Sequence, residues 1–214
     1  FAGLQGTVQY SFKTDTKAEE YSGAEGTSDA KRYASIGLTG EYGPAQFAVG
    51  YELTKYGVEN GTRQLPKDDG HLVFVGGNYD FQVVQIFAEA QYYKGQLAAS
   101  GFDMTDIDGT NLSGVEGFEG MKGYGLHFGA VAPVGAGTVT AGVDGSVEHQ
   151  IEGLDVDTTF WGLSARYNYP LSERTGLYVG AGYCQAKFEL SAGGESFDLK
   201  NQTTQVYGGL VHTF

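Results

Sequence analysis

One cysteine, Cys184, is all the sequence holds, so no disulfide can form within the chain. Proline is nearly as scarce, with 4 in 214 residues, which leaves long stretches free to donate every ladder hydrogen bond of a β-sheet. Basic residues are few: 13 Lys and Arg stand against 26 Asp and Glu, a formal net charge of −13. That balance excludes a nucleic-acid binder, which needs a basic face. No apolar run approaches the ~20 residues of a membrane helix. The opening FAGLQGTVQY lacks the charged and apolar regions of a signal peptide; an exported protein would carry it as mature chain or a piece of it. There is no phosphate loop and no zinc-ligand spacing. His71, His127, His149 and His212 are scattered.

Glycine and aromatics are abundant: Gly 35, Tyr 15 and Phe 13. Their recurrence without a collagen period points to a large β-architecture with many turns, and the length suits one all-β domain over 1–214. Period-two alternation dominates. Val8, Tyr10 and Phe12 share one face while Gln5, Thr7, Gln9, Ser11 and Lys13 share the other. Similarly, Phe47, Val49, Tyr51 and Leu53 oppose Gln46, Glu52 and Thr54, and Trp161, Leu163, Ala165 and Tyr167 oppose Gly162, Ser164, Arg166 and Asn168. Ten such segments are predicted, each about ten residues or slightly longer, the tenth running to Phe214. No helix-period segment competes with them.

The predicted connections alternate in length. Short ones are YGPA (42–45), YDFQ (79–82), PVGAG (133–137) and YPLSERT (169–175); the long ones are polar and mostly acidic. Tight turns at one end and long polar loops at the other match an antiparallel transmembrane β-barrel. Tyr42, Phe47, Tyr79, Phe81, Tyr167 and Tyr169 gather near the short turns, where an interfacial aromatic girdle sits. A soluble ligand-binding barrel uses the same alternation with its apolar face inward. The girdle, the strand length and the mid-strand charges on the polar face favour the inverted, membrane arrangement.

The order of these motifs resembles the Gram-negative general porins, in particular the β-proteobacterial type. FAGLQGTVQYSF is similar to that family's entry into a central strand, and VAPVGAGTVTAGV to its APVG turn. Within WGLSARYNYPLSERTGLYVGAGY, residues Gly162, Tyr167, Tyr169, Leu171, Ser172, Arg174, Thr175, Leu177 and Tyr178 fall on a signature of the form GxxYxYxLSxRTxLY. The ending VHTF matches the family's habit of finishing on His, one residue, Phe. The resemblance implies an outer-membrane channel for passive diffusion of ions and small hydrophilic solutes, with no cofactor. It implies a homotrimer in contact with the lipid bilayer and lipopolysaccharide, and Phe214 as the terminal aromatic read by the outer-membrane assembly machinery. Family barrels have sixteen strands, and these ten resemble the last ten. Two expectations follow: this sequence is the C-terminal portion of such a barrel, or it is a self-sufficient ten-stranded one.

The residues expected to line a channel are Lys13, Glu41, Glu52, Glu89, Asp144, Glu148 and Arg166, because charged side chains along a pore wall bias which ions pass. Each would serve equally well to hydrate an inner wall. Asp103, Asp106 and Asp108 in GFDMTDIDGTNLSG offer closely spaced oxygens, yet the spacing departs from a calcium loop and an acidic surface loop is the plainer reading. A ten-stranded outer-membrane enzyme is the alternative from another class; its one candidate cluster is Glu148, His149 and Glu152, which rim polarity explains as well.

Overall fold

The computed structural model describes residues 3–12, 32–56, 58–59, 62–63, 68–96, 98–99, 102–103, 120–150, 155–192 and 195–213. Ten strands account for nearly all of them: β1 (Leu4–Ser11), β2 (Arg32–Tyr42), β3 (Ala45–Lys55), β4 (Gly70–Asp80), β5 (Gln85–Gln96), β6 (Met121–Val134), β7 (Gly137–Gln150), β8 (Asp155–Ser172), β9 (Thr175–Ala192) and β10 (Glu195–His212). They form one sheet in sequence order, with every neighbouring pair antiparallel. β1 and β10 are its two edges. Two further pairs of two-residue strands, Val58–Glu59 with Thr62–Arg63 and Ala98–Ala99 with Phe102–Asp103, lie in the long connections. The meander follows from the turns, because antiparallel neighbours need only a few residues to join them.

Two of the four short turns lie elsewhere than the sequence suggests. Strand β8 continues through Tyr169 to Ser172, so YPLSERT is mostly strand and only Glu173 and Arg174 turn. A register shift between Pro170 and Ser172 absorbs the proline, which has no N–H for the ladder. The predicted turn over 79–82 instead lies at 81–84. Here Asp80 pairs with Gln85, the Phe81 N–H donates to the Val84 carbonyl (2.9 Å), and the Gln82 N–H donates to Asp80 Oδ1 (2.7 Å). The Asp80 side chain imitates a backbone turn and holds Gln82 at φ 70°, in the left-handed region.

Register sorts the side chains into two faces. The row Gln5–Thr39–Ala48–Gly76–Glu89–His127–Asp144–Gly162–Cys184–Thr203 runs across all ten strands on one face. One residue along, the opposite face carries Leu4, Phe47, Phe128, Val143, Leu163 and Tyr183. That face has no cover: Val8 is 79% exposed, Val206 74% and Leu163 52%. Among the described residues only Tyr56, Tyr93 and Met121 are buried hydrophobics. They gather at the upper ends of β3, β5 and β6, away from the short turns. Gly95 (φ 68°) and Gly120 (φ 89°) bring the chain so close there that a Cβ on Gly120 would meet Gly95 backbone at 2.6 Å, an approach glycine alone permits.

Candidate functional site: the polar inner wall

The polar row faces a hollow. One part, of about 790 Å³, is lined by Glu41, Gln46, Asn78, Phe87, Glu89 and His127. A second, of about 510 Å³, is lined by Glu89, Gln91, His127, Asp144, Ser146 and Phe160. Glu89 and His127 belong to both, so the two are parts of one wetted wall running from β1 to β8.

Near the short turns the wall is an amide ladder: Gln85 Nε2 donates to Asn78 Oδ1 (2.9 Å), and Asn78 Nδ2 donates to Gln46 Oε1 (3.0 Å). At mid-height Glu89, His127 and Asp144 stand directly abreast on β5, β6 and β7. The His127 Nδ1 is hydrogen-bonded to Asp144 Oδ1, and the ring has room because Gly129 and Gly142 lie beside it. Further round, Arg166 Nε donates to Asn168 Oδ1 (2.8 Å), and its guanidinium lies 4.2 Å from the centre of the Tyr178 ring. A guanidinium over a ring is held by the ring quadrupole, so this cation is fixed to the wall.

Of the residues expected to line a channel, Glu41, Glu52, Glu89, Asp144 and Arg166 all fall on this inner face, and Glu148 is described only as the backbone partner of Gly123 and Thr158. They are spread along the wall; only Glu89 and Asp144 come together, with His127 between them. Lys13, Asp106, Asp108, Glu152 and Phe214 lie outside the described residues. Asp103 is described only as the backbone partner of Ala98. The pairing of His127 with Asp144 was within reach of the sequence. Counting back from the Val134–Gly137 pair at the PVGAG turn sets His127 opposite Asp144.

Aromatics also stand on the inner face. Phe74, Phe87, Phe160, Tyr178 and Tyr207 share the polar face. Tyr178 pairs with Gly209 and Gly180 with Tyr207, and each ring covers its glycine: a Cβ on Gly180 would meet Tyr207 Cζ at 2.5 Å, and one on Gly209 would meet Tyr178 Cζ at 2.6 Å. The two rings stand 6.2 Å apart.

The outward face ends in two aromatic belts. Tyr42, Tyr79, Phe81 and Tyr169 lie by the short turns; Tyr10, Phe12, Tyr92, Tyr124 and Trp161 lie toward the long connections, and all are exposed. Apolar rings flanking an apolar band are the outer surface of a membrane barrel. The model of the Gram-negative porin family matches residues 1–189. This chain belongs to the Gram-negative porin family. It is therefore a protein of the bacterial outer membrane, its apolar face in contact with lipid. The fold is similar to that of the anion-selective porin from Comamonas acidovorans, with a TM-score of 0.61 at 22% identity. That similarity covers 100% of this chain and 57% of the other, so the porin-family chain spans little more than half the length of this relative. No curated protein matches the sequence.

Proposed function

We propose that this porin-family chain forms wall of a water-filled outer-membrane channel for passive diffusion of ions and small hydrophilic solutes. The observation that carries the reading is the inversion of the fold. Apolar side chains are exposed on one face, while carboxylates, amides and an imidazole line a hollow on the other. A soluble barrel cannot leave such a band in water, and lipid rewards it. The edges of β1 and β10 must also be met, by each other or by further strands, because each unpaired backbone group in lipid costs several kcal/mol.

Glu41, Glu52, Glu89, Asp144 and Arg166 are the proposed pore-lining residues, with Glu148 and Lys13 beside them. Carboxylates outnumber the one fixed guanidinium among those described, which supports a mild preference for cations. Homotrimer formation and recognition of Phe214 by the assembly machinery belong to the same proposal. Channel function is tested by reconstituting the protein in planar bilayers. Stable, ohmic conductance steps support it; a protein that inserts but carries no current sinks it.

A further inference from the structure

Ser146 lines the smaller hollow of the inner wall, yet the residue is only 5% exposed. Its Oγ has no hydrogen-bond partner among the described residues. An unpaired buried hydroxyl costs a sheet free energy and calls for an explanation. Its surroundings supply one. Gln91, Gly125, Ser146 and Phe160 stand directly abreast on the inner face of β5, β6, β7 and β8. Glu89, His127, Asp144 and Gly162 form the next row toward the short turns. The Gln91 amide lies over Gly125, where a Cβ would meet Nε2 at 3.0 Å. The Phe160 ring leans over Gly162, where a Cβ would meet Cζ at 3.5 Å. The two glycines leave a recess with an amide on one side, an aromatic ring on the other, and two carboxylates along its lower edge.

The groups are mixed in kind. Carboxylates accept only, whereas the Gln91 amide and the Ser146 hydroxyl both donate and accept. A metal ion has no use for the ring or the N–H donors, and among the described residues no group of His, Cys, Asp and Glu is placed to hold one. An organic cation would use the ring and the carboxylates but offers the amide N–H nothing to bind. A hydroxylated ring uses them all. Its hydroxyls donate to carboxylates in short, charge-assisted bonds and accept from the amide. Its slightly positive C–H face suits the negative face of the Phe160 ring. The volume of about 510 Å³ is that of an ordinary small-molecule pocket.

We propose that this recess is a binding station for neutral pyranose sugars crossing the wall. The proposal rests on the channel reading above and gives it a solute class. Glu89 and Asp144 accept from the sugar hydroxyls, with Asp144 steadied by His127. Phe160 takes the ring face. Ser146 Oγ gains a partner once the solute displaces the side chains that cover it. Contacts this few leave binding weak enough for release, as passage requires.

The test uses the folded protein in zwitterionic detergent micelles, titrated with methyl β-D-glucopyranoside and read by saturation-transfer NMR, which needs no current. Mannitol has hydroxyls but no ring face, cyclohexylammonium has a ring face and a charge, and both serve as comparison probes. The glucoside is expected to bind about five-fold more tightly than mannitol. Glu89→Ala should weaken it about ten-fold, and Ser146→Ala and Phe160→Leu about five-fold each. Thr158 has the same kind of buried, unpartnered hydroxyl, two residues along β8 from Phe160, but does not line the hollow. Thr158→Val is therefore expected to leave binding unchanged. A merely structural Ser146 would alter the melting temperature of its alanine variant and not the affinity. Unchanged affinity in both Ser146→Ala and Phe160→Leu, or equal affinity for mannitol, overturns the station. Tighter binding of cyclohexylammonium than of the glucoside overturns it in favour of cations. A protein that binds the glucoside yet carries no current in planar bilayers overturns the channel reading alone.

Discussion

Neutralising Glu89 and Asp144 puts the inner wall to its most direct test. Both carboxylates face the shared hollow, abreast of His127. For an ion passing ~8 Å from one carboxylate in water, the unscreened interaction is about 0.5 kcal/mol. At 0.1 M salt, with a screening length of ~10 Å, about 0.2 kcal/mol remains. Cations gain that amount and anions lose it, so each charge changes the cation-to-anion permeability ratio about two-fold. The Glu89→Gln/Asp144→Asn double variant should therefore lower the ratio about four-fold at 0.1 M. At 1 M, where the screening length is ~3 Å, the change should shrink to about 1.3-fold. The assay is the reversal potential across a planar bilayer under a salt gradient, with each single variant giving about half the shift on a logarithmic scale. An unchanged ratio at 0.1 M refutes the placement of these groups in the conducting path. A change of the same size at both salt concentrations refutes the electrostatic account, because only a rearranged wall ignores screening.

Other consequences concern the sheet itself. Leu126→Lys places a charge in the middle of the outward apolar band, where it should cost about 2–4 kcal/mol. Gln91→Lys, its neighbour on the inner face, should be nearly neutral; urea unfolding from lipid vesicles measures both. Gly180→Val should drive a side chain into the Tyr207 ring and cost about 1–3 kcal/mol, and Tyr207→Ala in the same chain should relieve the clash, read from the melting temperature of the folded protein. Gln82→Gly removes the strain of a non-glycine residue at φ 70° and should stabilise by about 1 kcal/mol, whereas Gln82→Val should destabilise; comparison of unfolding midpoints decides it.

The faces were legible in the sequence because a strand's side chains alternate strictly, and register sets Glu41, Glu52, Glu89 and Asp144 on the polar face. The turns were less so. Proline in YPLSERT reads as a strand breaker, yet at Pro170 the register shift lets β8 pass it. At 79–82 the tyrosine and phenylalanine read as girdle residues within a turn. The Asp80 side chain makes the turn instead, and a side-chain hydrogen bond leaves no trace in hydrophobic periodicity. Inner aromatics such as Phe74, Phe87 and Tyr178 were missed for a related reason. They lie on the polar side of their strands, where pattern alone has no use for an aromatic ring.

Those rings and the abundance of glycine are one phenomenon. A strand residue opposite a ring needs empty space above its backbone, and glycine leaves that space. Tyr178 lies on Gly209 and Tyr207 on Gly180 in a reciprocal pair, and Phe74 covers Gly50 in the same way. Each ring shields the backbone that its glycine leaves bare. The wall thereby gains packing while its hollow stays open. A soluble domain obtains side-chain packing by filling its interior, and this sheet cannot do so if solutes are to pass. Pressing rings into glycine sites recovers part of that packing within the thickness of the wall. It also fixes Tyr178, on which the Arg166 guanidinium rests, so the same device that stiffens β9 and β10 holds the wall's one described inward guanidinium in place.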